Sequence, residues 1–456
     1  MLHRDNVMFG AIQGFFWAGF GLIFAFLSAY YQEIGFTTVQ IGLVMALVSA
    51  ANIAAQPVLA LISDRISAPG LVLRNALLAG IVIALLMFAT PPLLVPVAAL
   101  SVLVSIAVQT LPPILDGWTM QVRELVPRLD YGVTRSMGSF GFAVTVAVAG
   151  RVFDVHGMAW MFPLSAVALS VTVAIVTLVN RYHAAAAARS AAWSSGSTSA
   201  PIDPDTPDAP DDASAPDEAS APGEASAPDK AVRARADSGT DASPGTRQLL
   251  LRFFSPQMTA LLAISFVSFT AFRPTQVFLP VLLREVGGTS QDLGFGLSLM
   301  GISEFPFLIG FSLLVRRFGD TRILLVALVF FFFRIGVLAF AVSPLFVIVA
   351  QVLQGPSFGL FLPACVHLLN RLAPPGTRTV AQTAGAIASF GLGSMSGSAV
   401  GGYLAEWFGI SAMYAIMAGA MAVTVLAYCV LFVRPGLIAG GKDGRVDQDR
   451  SVSGPG

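Results

Sequence analysis

Twelve long, mainly apolar runs, separated by short clusters of charge, dominate this 456-residue chain. They lie at 7–31, 41–62, 71–90, 93–120, 132–153 and 158–180, and then at 257–283, 292–315, 323–341, 345–370, 379–408 and 411–433. A helix of about 20 such residues crosses the hydrocarbon core of a bilayer. Inside lipid only helices and closed barrels satisfy every backbone donor and acceptor. The expected fold is therefore an all-α membrane protein with twelve transmembrane helices. Composition agrees, with 55% hydrophobic and only 11% charged residues, against about 25% charged in a soluble protein. This excludes a soluble enzyme, a nucleic-acid binder and a disordered scaffold. Cys365 and Cys429 both lie in apolar stretches and suggest neither a disulfide nor a metal site, and no cofactor is expected.

The formal charge of zero hides two unlike parts. Between residues 190 and 246 there are eleven acids against three bases, which leaves the remainder with a surplus of eight positive charges. Those bases, among them Arg4, Arg65, Arg123, Arg181, Arg316, Arg371 and Arg434, fall in alternate connections. By the positive-inside rule both termini and the long central loop are expected in the cytoplasm, with the protein in the inner membrane. Residues 7–31 are too long for a signal peptide and read as the first span. From about 183 to 248 the chain is rich in Ala, Ser, Pro and Asp and holds three consecutive hexads (ASAPDE, ASAPGE, ASAPDK). Such a stretch buries too little apolar surface to order itself, so a solvated tether is expected.

The two halves repeat each other. A shift of 252 positions lays Gly42 on Gly294, Asn52 on Glu304, Arg65 on Arg317 and Gly157 on Gly409, while Ser139-Phe140-Gly141 recurs as Ser389-Phe390-Gly391 at a shift of 250. A parallel six-helix repeat is a transporter architecture with its site near the midplane between the halves. The domains expected are two bundles, 1–182 and 249–434, a linker at 183–248 and a tail at 435–456.

Ser63-Asp64-Arg65 after the second span, and Arg316-Arg317-Phe318-Gly319-Asp320 after the eighth, resemble the cytoplasmic loop signature of the major facilitator superfamily. The first copy departs from the pattern, with Ala60 and Ser67 where Gly is favoured. Tyr131–Ser139 resembles the start of span five in the lactose permease-like and phenylpropionate permease-like groups, and Gly301-Ile302-Ser303-Glu304 is similar to span eight of the latter. The resemblance implies two six-helix bundles that rock around a central site. It also implies that Asp64, Arg65, Arg316 and Arg317 form a cytoplasmic gate that latches the outward-facing state.

Ionisable groups inside a span are costly unless paired or wet, so each is a candidate. Arg273, Glu304 and Arg334, on spans seven, eight and nine, converge near the midplane at 1.5 Å rise per residue. Glu304 is the candidate proton carrier, since a carboxyl moving between dry and Arg-lined surroundings changes its proton affinity. The alternative is a fixed Glu304–Arg334 bridge between two helices. Asp116 and Arg135 form a second candidate pair, either a helix-end salt bridge or, as the resemblance implies, sugar contacts. Relatives often carry a histidine where Gln354 stands, and none of the four histidines suits a relay. Coupling then falls to Glu304 or Asp116, or the protein is a facilitator. The set Asp116, Arg135, Arg273, Glu304 and Arg334 sums to one positive charge. The leading expectation is therefore proton-coupled uptake of an organic acid, with sugars and nucleosides next, by a monomer. Drug/proton efflux and a transporter-like sensor are the alternatives.

Overall fold

The computed structural model describes residues 4–66, 68–126, 128–194, 253–374 and 376–433. Its helices follow the apolar runs: α1 (Arg4–Glu33), α2 (Thr38–Ile66), α3 (Pro69–Ala89), α4 (Leu94–Glu124), α5 (Tyr131–His156) and α6 (Met158–Tyr182). The second half supplies α7 (Pro256–Val277), α8 (Ser290–Phe318), α9 (Asp320–Leu338), α10 (Pro344–Leu372), α11 (378–408) and α12 (Ile410–Val433). Eleven of these are long and apolar enough to cross a membrane. The exception, α11, is helical throughout, but its Gly and Ser residues dilute its apolarity. Those small residues serve packing: Gly393, Gly397 and Gly401 lie directly against Phe266, Thr270 and Pro274 of α7.

The repeat is visible in the backbone. Gly35 and Gly287 have φ of +87° and +82°, and Gly157 and Gly409 of +90° and +84°. Both pairs are 252 residues apart, at equivalent loops where only glycine takes this conformation without strain. The fourth helix of each half contains a π-helical turn, Ser105–Gln109 in α4 and Gly355–Gly359 in α10, at the slightly shorter offset of 250. Such turns shift the facing of the side chains around them and concentrate at functional sites. Pro306 and Pro363, by contrast, sit within unbroken helices.

Both halves belong to one compact unit. We call the end where α1 begins and α12 finishes the terminal face, and the opposite end the distal face. Toward the distal face α2 crosses α11 and α5 crosses α8, with backbones brought close by Gly42 and Gly402 at one crossing and Gly150 and Gly294 at the other. Toward the terminal face the same helices carry exposed apolar side chains. Leu61 and Ile66 of α2, Phe140 of α5, Ile309 of α8 and Val380 of α11 are all exposed there. A Cβ added at Gly117, Gly301 or Gly310 would meet no neighbour. The glycine-mediated contacts between the halves gather at the distal face.

The helix of the sixth span continues to Ser194, because residues 184–188 are an unbroken run of alanine, the strongest helix former. The rest of the expected tether, 195–248, and the tail at 435–456 lie outside the described residues.

Candidate functional site

Arg334 follows a run of four phenylalanines in α9 and is fully buried. A guanidinium in such surroundings is tolerable only when most of its donors are used. Its terminal nitrogens donate to the Gln354 Oε1, to the Gln351 Oε1 at 2.8 Å and to the Met300 sulfur at 3.6 Å, its Nε has no hydrogen-bond partner among the described residues, and its charge lies 5.3 Å from the Phe272 ring centre. Gln354 then donates its Nε2 to Glu304 Oε1 at 2.8 Å. The amide has one orientation that serves both neighbours, oxygen toward Arg334 and nitrogen toward Glu304. The expected Glu304–Arg334 contact is thus indirect, with Gln354 between carboxylate and guanidinium. The π turn of α10 sets this up: Gly355 sits against the Ser303 backbone and donates its amide to Ser303 Oγ at 3.1 Å. That contact brings Gln354 beside Glu304. Gln351 is held in turn by donation to the Val347 carbonyl at 3.0 Å.

The other half carries a looser cluster. Asn6 near the start of α1 donates to the Arg128 carbonyl and accepts from the Asp130 amide, and Asp130 caps α5 through Val133. These bonds fix the α4–α5 connection and bring Arg135 toward Asp116. The Arg135 Nε is 4.0 Å from Asp116 Oδ1, and both side chains are about one-third exposed. Gln13 of α1 donates to Asp116 at 3.1 Å and accepts from the Trp17 indole at 3.0 Å. The Arg135 guanidinium lies 4.5 Å over the Trp17 ring. Gly138 of α5 makes room for that ring, since a Cβ there would collide with Trp17 Cδ1.

Arg273 stands apart from both clusters. It donates to Gln276 on its own segment at 3.2 Å, backs onto Gly397 of α11, and its Nε has no hydrogen-bond partner among the described residues. Of the expected gate residues, Arg65, Arg316 and Arg317 are exposed at the terminal face, where Arg317 lies 5.5 Å from the Phe318 ring centre. The Asp64 side chain lies outside the described residues. Asp320, from the second copy of the loop signature, pairs within its own half with Arg371 at 2.7 Å. His367 is exposed on α10 with its ring against Phe311.

Sequence reasoning passed over Gln13, Trp17 and Gln351. A search for uncharged polar residues in mid-span would have found both glutamines, because such groups seek partners on neighbouring helices. The same search finds Asn52, which donates to Gln109 across α2 and α4. Asn52 stands at the repeat position of Glu304, so the helix pair α2/α4 carries an uncharged version of the α8/α10 contact.

A family model described as MFS_1 like family matches residues 11–416. The maltose permease of Geobacillus stearothermophilus is 28% identical over 422 residues, covering 91% of each chain. The uncharacterized transporter YwbF of Bacillus subtilis (strain 168) is 27% identical over 152 residues, 32% of this chain and 38% of that one. Among solved structures, the nucleoside transporter NupG aligns with a TM-score of 0.72 at 14% identity, over 94% of this chain and 99% of its own. The peptide transporter POT aligns with a TM-score of 0.63 at 12% identity, over 95% of each chain. At those identities the structures speak for the fold alone. A twelve-helix repeat and a family match over nearly the whole chain together make this protein a member of the MFS_1 like family of major facilitator transporters, secondary carriers of small solutes.

Proposed function

We propose that the protein takes up a neutral saccharide together with a proton across the cytoplasmic membrane, by alternating access between bundles 1–182 and 249–434. The observation that carries this reading is the cluster of Gln13, Trp17, Asp116 and Arg135. Its carboxylate and guanidinium offset each other, so it presents hydrogen-bonding capacity without net charge. Solute sites of this kind combine an apolar wall with a few placed polar groups. Vicinal hydroxyls suit Asp116 and Arg135, and the apolar face of a sugar ring suits the Trp17 indole. Similarity to a maltose permease supports the same class.

Glu304 is the proton carrier in this reading. Gln354 stays hydrogen-bonded whether the carboxyl is charged or neutral, because a carboxyl oxygen accepts in both forms. The basic terminal face is cytoplasmic by charge bias, so contacts between the halves gathered at the distal face correspond to the inward-facing state. Asp64, Arg65, Arg316 and Arg317 approach one another when that face closes. An organic acid ranks second as solute, favoured by the positive charge of Arg273, which is in no ion pair among the described residues.

The test is counterflow in proteoliposomes preloaded, in separate batches, with maltose, other disaccharides, nucleosides or organic acids. A neutral disaccharide is expected to drive exchange of its labelled form, with nucleosides and acids near the protein-free level. Exchange driven only by the acids would overturn the saccharide reading.

A further inference from the structure

The distal closure is built twice, by residues that the repeat relates. At the start of α8, Thr289 and Asp292 form a reciprocal capping box, the Thr289 amide donating to Asp292 at 2.9 Å and the Asp292 amide to Thr289 Oγ1 at 3.3 Å. A box of this kind uses two of the four orphan amides of a helix start and leaves those between them free. The free amides of Ser290 and Gln291 are taken by Asp154, from the last turn of α5 in the opposite half, at 2.7 and 3.0 Å.

A related construction stands 252 residues away, in which the carboxylate takes one backbone amide and a hydroxyl instead of two amides. Thr37 and Gln40 form the reciprocal pair at the start of α2, at 3.0 and 3.3 Å. Thr38 then donates its amide at 3.1 Å and its hydroxyl at 2.6 Å to Glu406, from the last turn of α11 in the opposite half. Thr37 matches Thr289, Gln40 matches Asp292, Thr38 matches Ser290, and Glu406 matches Asp154.

We propose that Asp154 and Glu406 are matched clasps that hold the distal gate shut, each carboxylate completing the start of a helix in the opposite half. Negative charge at a helix N-terminus is favourable, and its hydrogen bonds to amides are of the stronger, charge-assisted kind. Neither carboxylate is in an ion pair among the described residues, so the helix start is its electrostatic partner. Donors and acceptors both become hydrated when the gate opens, which makes these contacts reversible where an apolar seal would not be. A half-exposed Arg284–Glu33 pair at 3.6 Å joins the halves at the same face but has no counterpart in the repeat. The inference depends on the halves separating at the distal face, whatever the solute.

Nitroxide labels at Val95→Cys and Val342→Cys report the gate, since both positions are exposed distal sites on opposite halves. Cys429 is replaced by serine, and Cys365 is buried. Pulsed dipolar distances are then measured for full-length protein in lipid nanodiscs. Asp154→Ala and Glu406→Ala are each expected to raise the ratio of long to short distances about tenfold, and the double variant about a hundredfold. Asp154→Asn and Glu406→Gln keep one accepting oxygen and fold if the alanine variants do not, and are expected to shift the ratio less, in the same direction. Wild-type distances in the folded double variant would overturn the proposal. A shift produced by only one of the two sites would overturn the pairing.

Discussion

The two polar clusters of this transporter use the same chemical groups and finish them in opposite ways. In the second half a carboxylate, two amides and a guanidinium form one chain of bonds, Glu304 to Gln354 to Arg334 to Gln351, with Arg334 and Gln351 fully buried. In the first half Asp116 and Arg135 stand 4.0 Å apart and one-third exposed, with Gln13 and Trp17 completing a partly open wall. A buried network with its partners in place is rigid, and its charges are costly to separate. A half-exposed pair with a long contact holds little energy and exchanges partners readily. The first suits a group that must be held in place through a transport cycle. The second suits contacts that a solute replaces. The uncharged Asn52–Gln109 pair sharpens the contrast, because the repeat position of Glu304 in the first half has nothing to titrate.

The largest effect is expected where the buried network is cut. Arg334→Leu leaves the oxygens of Gln351 and Gln354 without their buried donor and should cost about 3 kcal/mol or more. Thermal unfolding in detergent checks this, and a variant as stable as wild type would break the comparison. Asp116→Asn should cost no more than about 1 kcal/mol of stability, since the pair it weakens is partly wet. It should still weaken solute binding about tenfold by removing a charged acceptor, which labelled-solute competition measures. Trp17→Ala should act more gently, lowering affinity by roughly threefold to tenfold through lost ring contact. A loss of folded protein with Trp17→Ala would make the aromatic a structural element of the α1–α5 contact instead.

Much of this was legible before any coordinates. Spans follow from runs too apolar for anything but lipid, and the 252-residue shift from glycines that the loop conformations require, as at Gly157 and Gly409. Charged mid-span residues such as Arg334 and Glu304 announce themselves through their cost. What escaped was the way they are joined. Gln354 was visible as a departure from a pattern, but its place between Glu304 and Arg334 depends on the π turn at Gly355–Gly359, which no hydropathy profile reports. Trp17 and Gln13 blended into an apolar span, and their value lies in facing Asp116 and Arg135 from another helix. Arg273 shows the converse error, since equal depth in the membrane does not put side chains on facing sides of their helices. Which face gathers the contacts between the halves was equally hidden, because it rests on pairs such as Asp154 with the start of α8.

The central claim is a division of labour, with the first half holding the solute and Glu304 carrying the proton. Proteoliposomes containing an internal pH dye test it directly when an external disaccharide is added to wild type, Glu304→Gln and Asp116→Asn. Wild type should acidify the interior. Glu304→Gln should give no acidification while still exchanging labelled sugar, and Asp116→Asn should acidify normally once the sugar concentration is raised about tenfold. Full acidification by Glu304→Gln, or its loss in Asp116→Asn at every sugar concentration, would contradict the account.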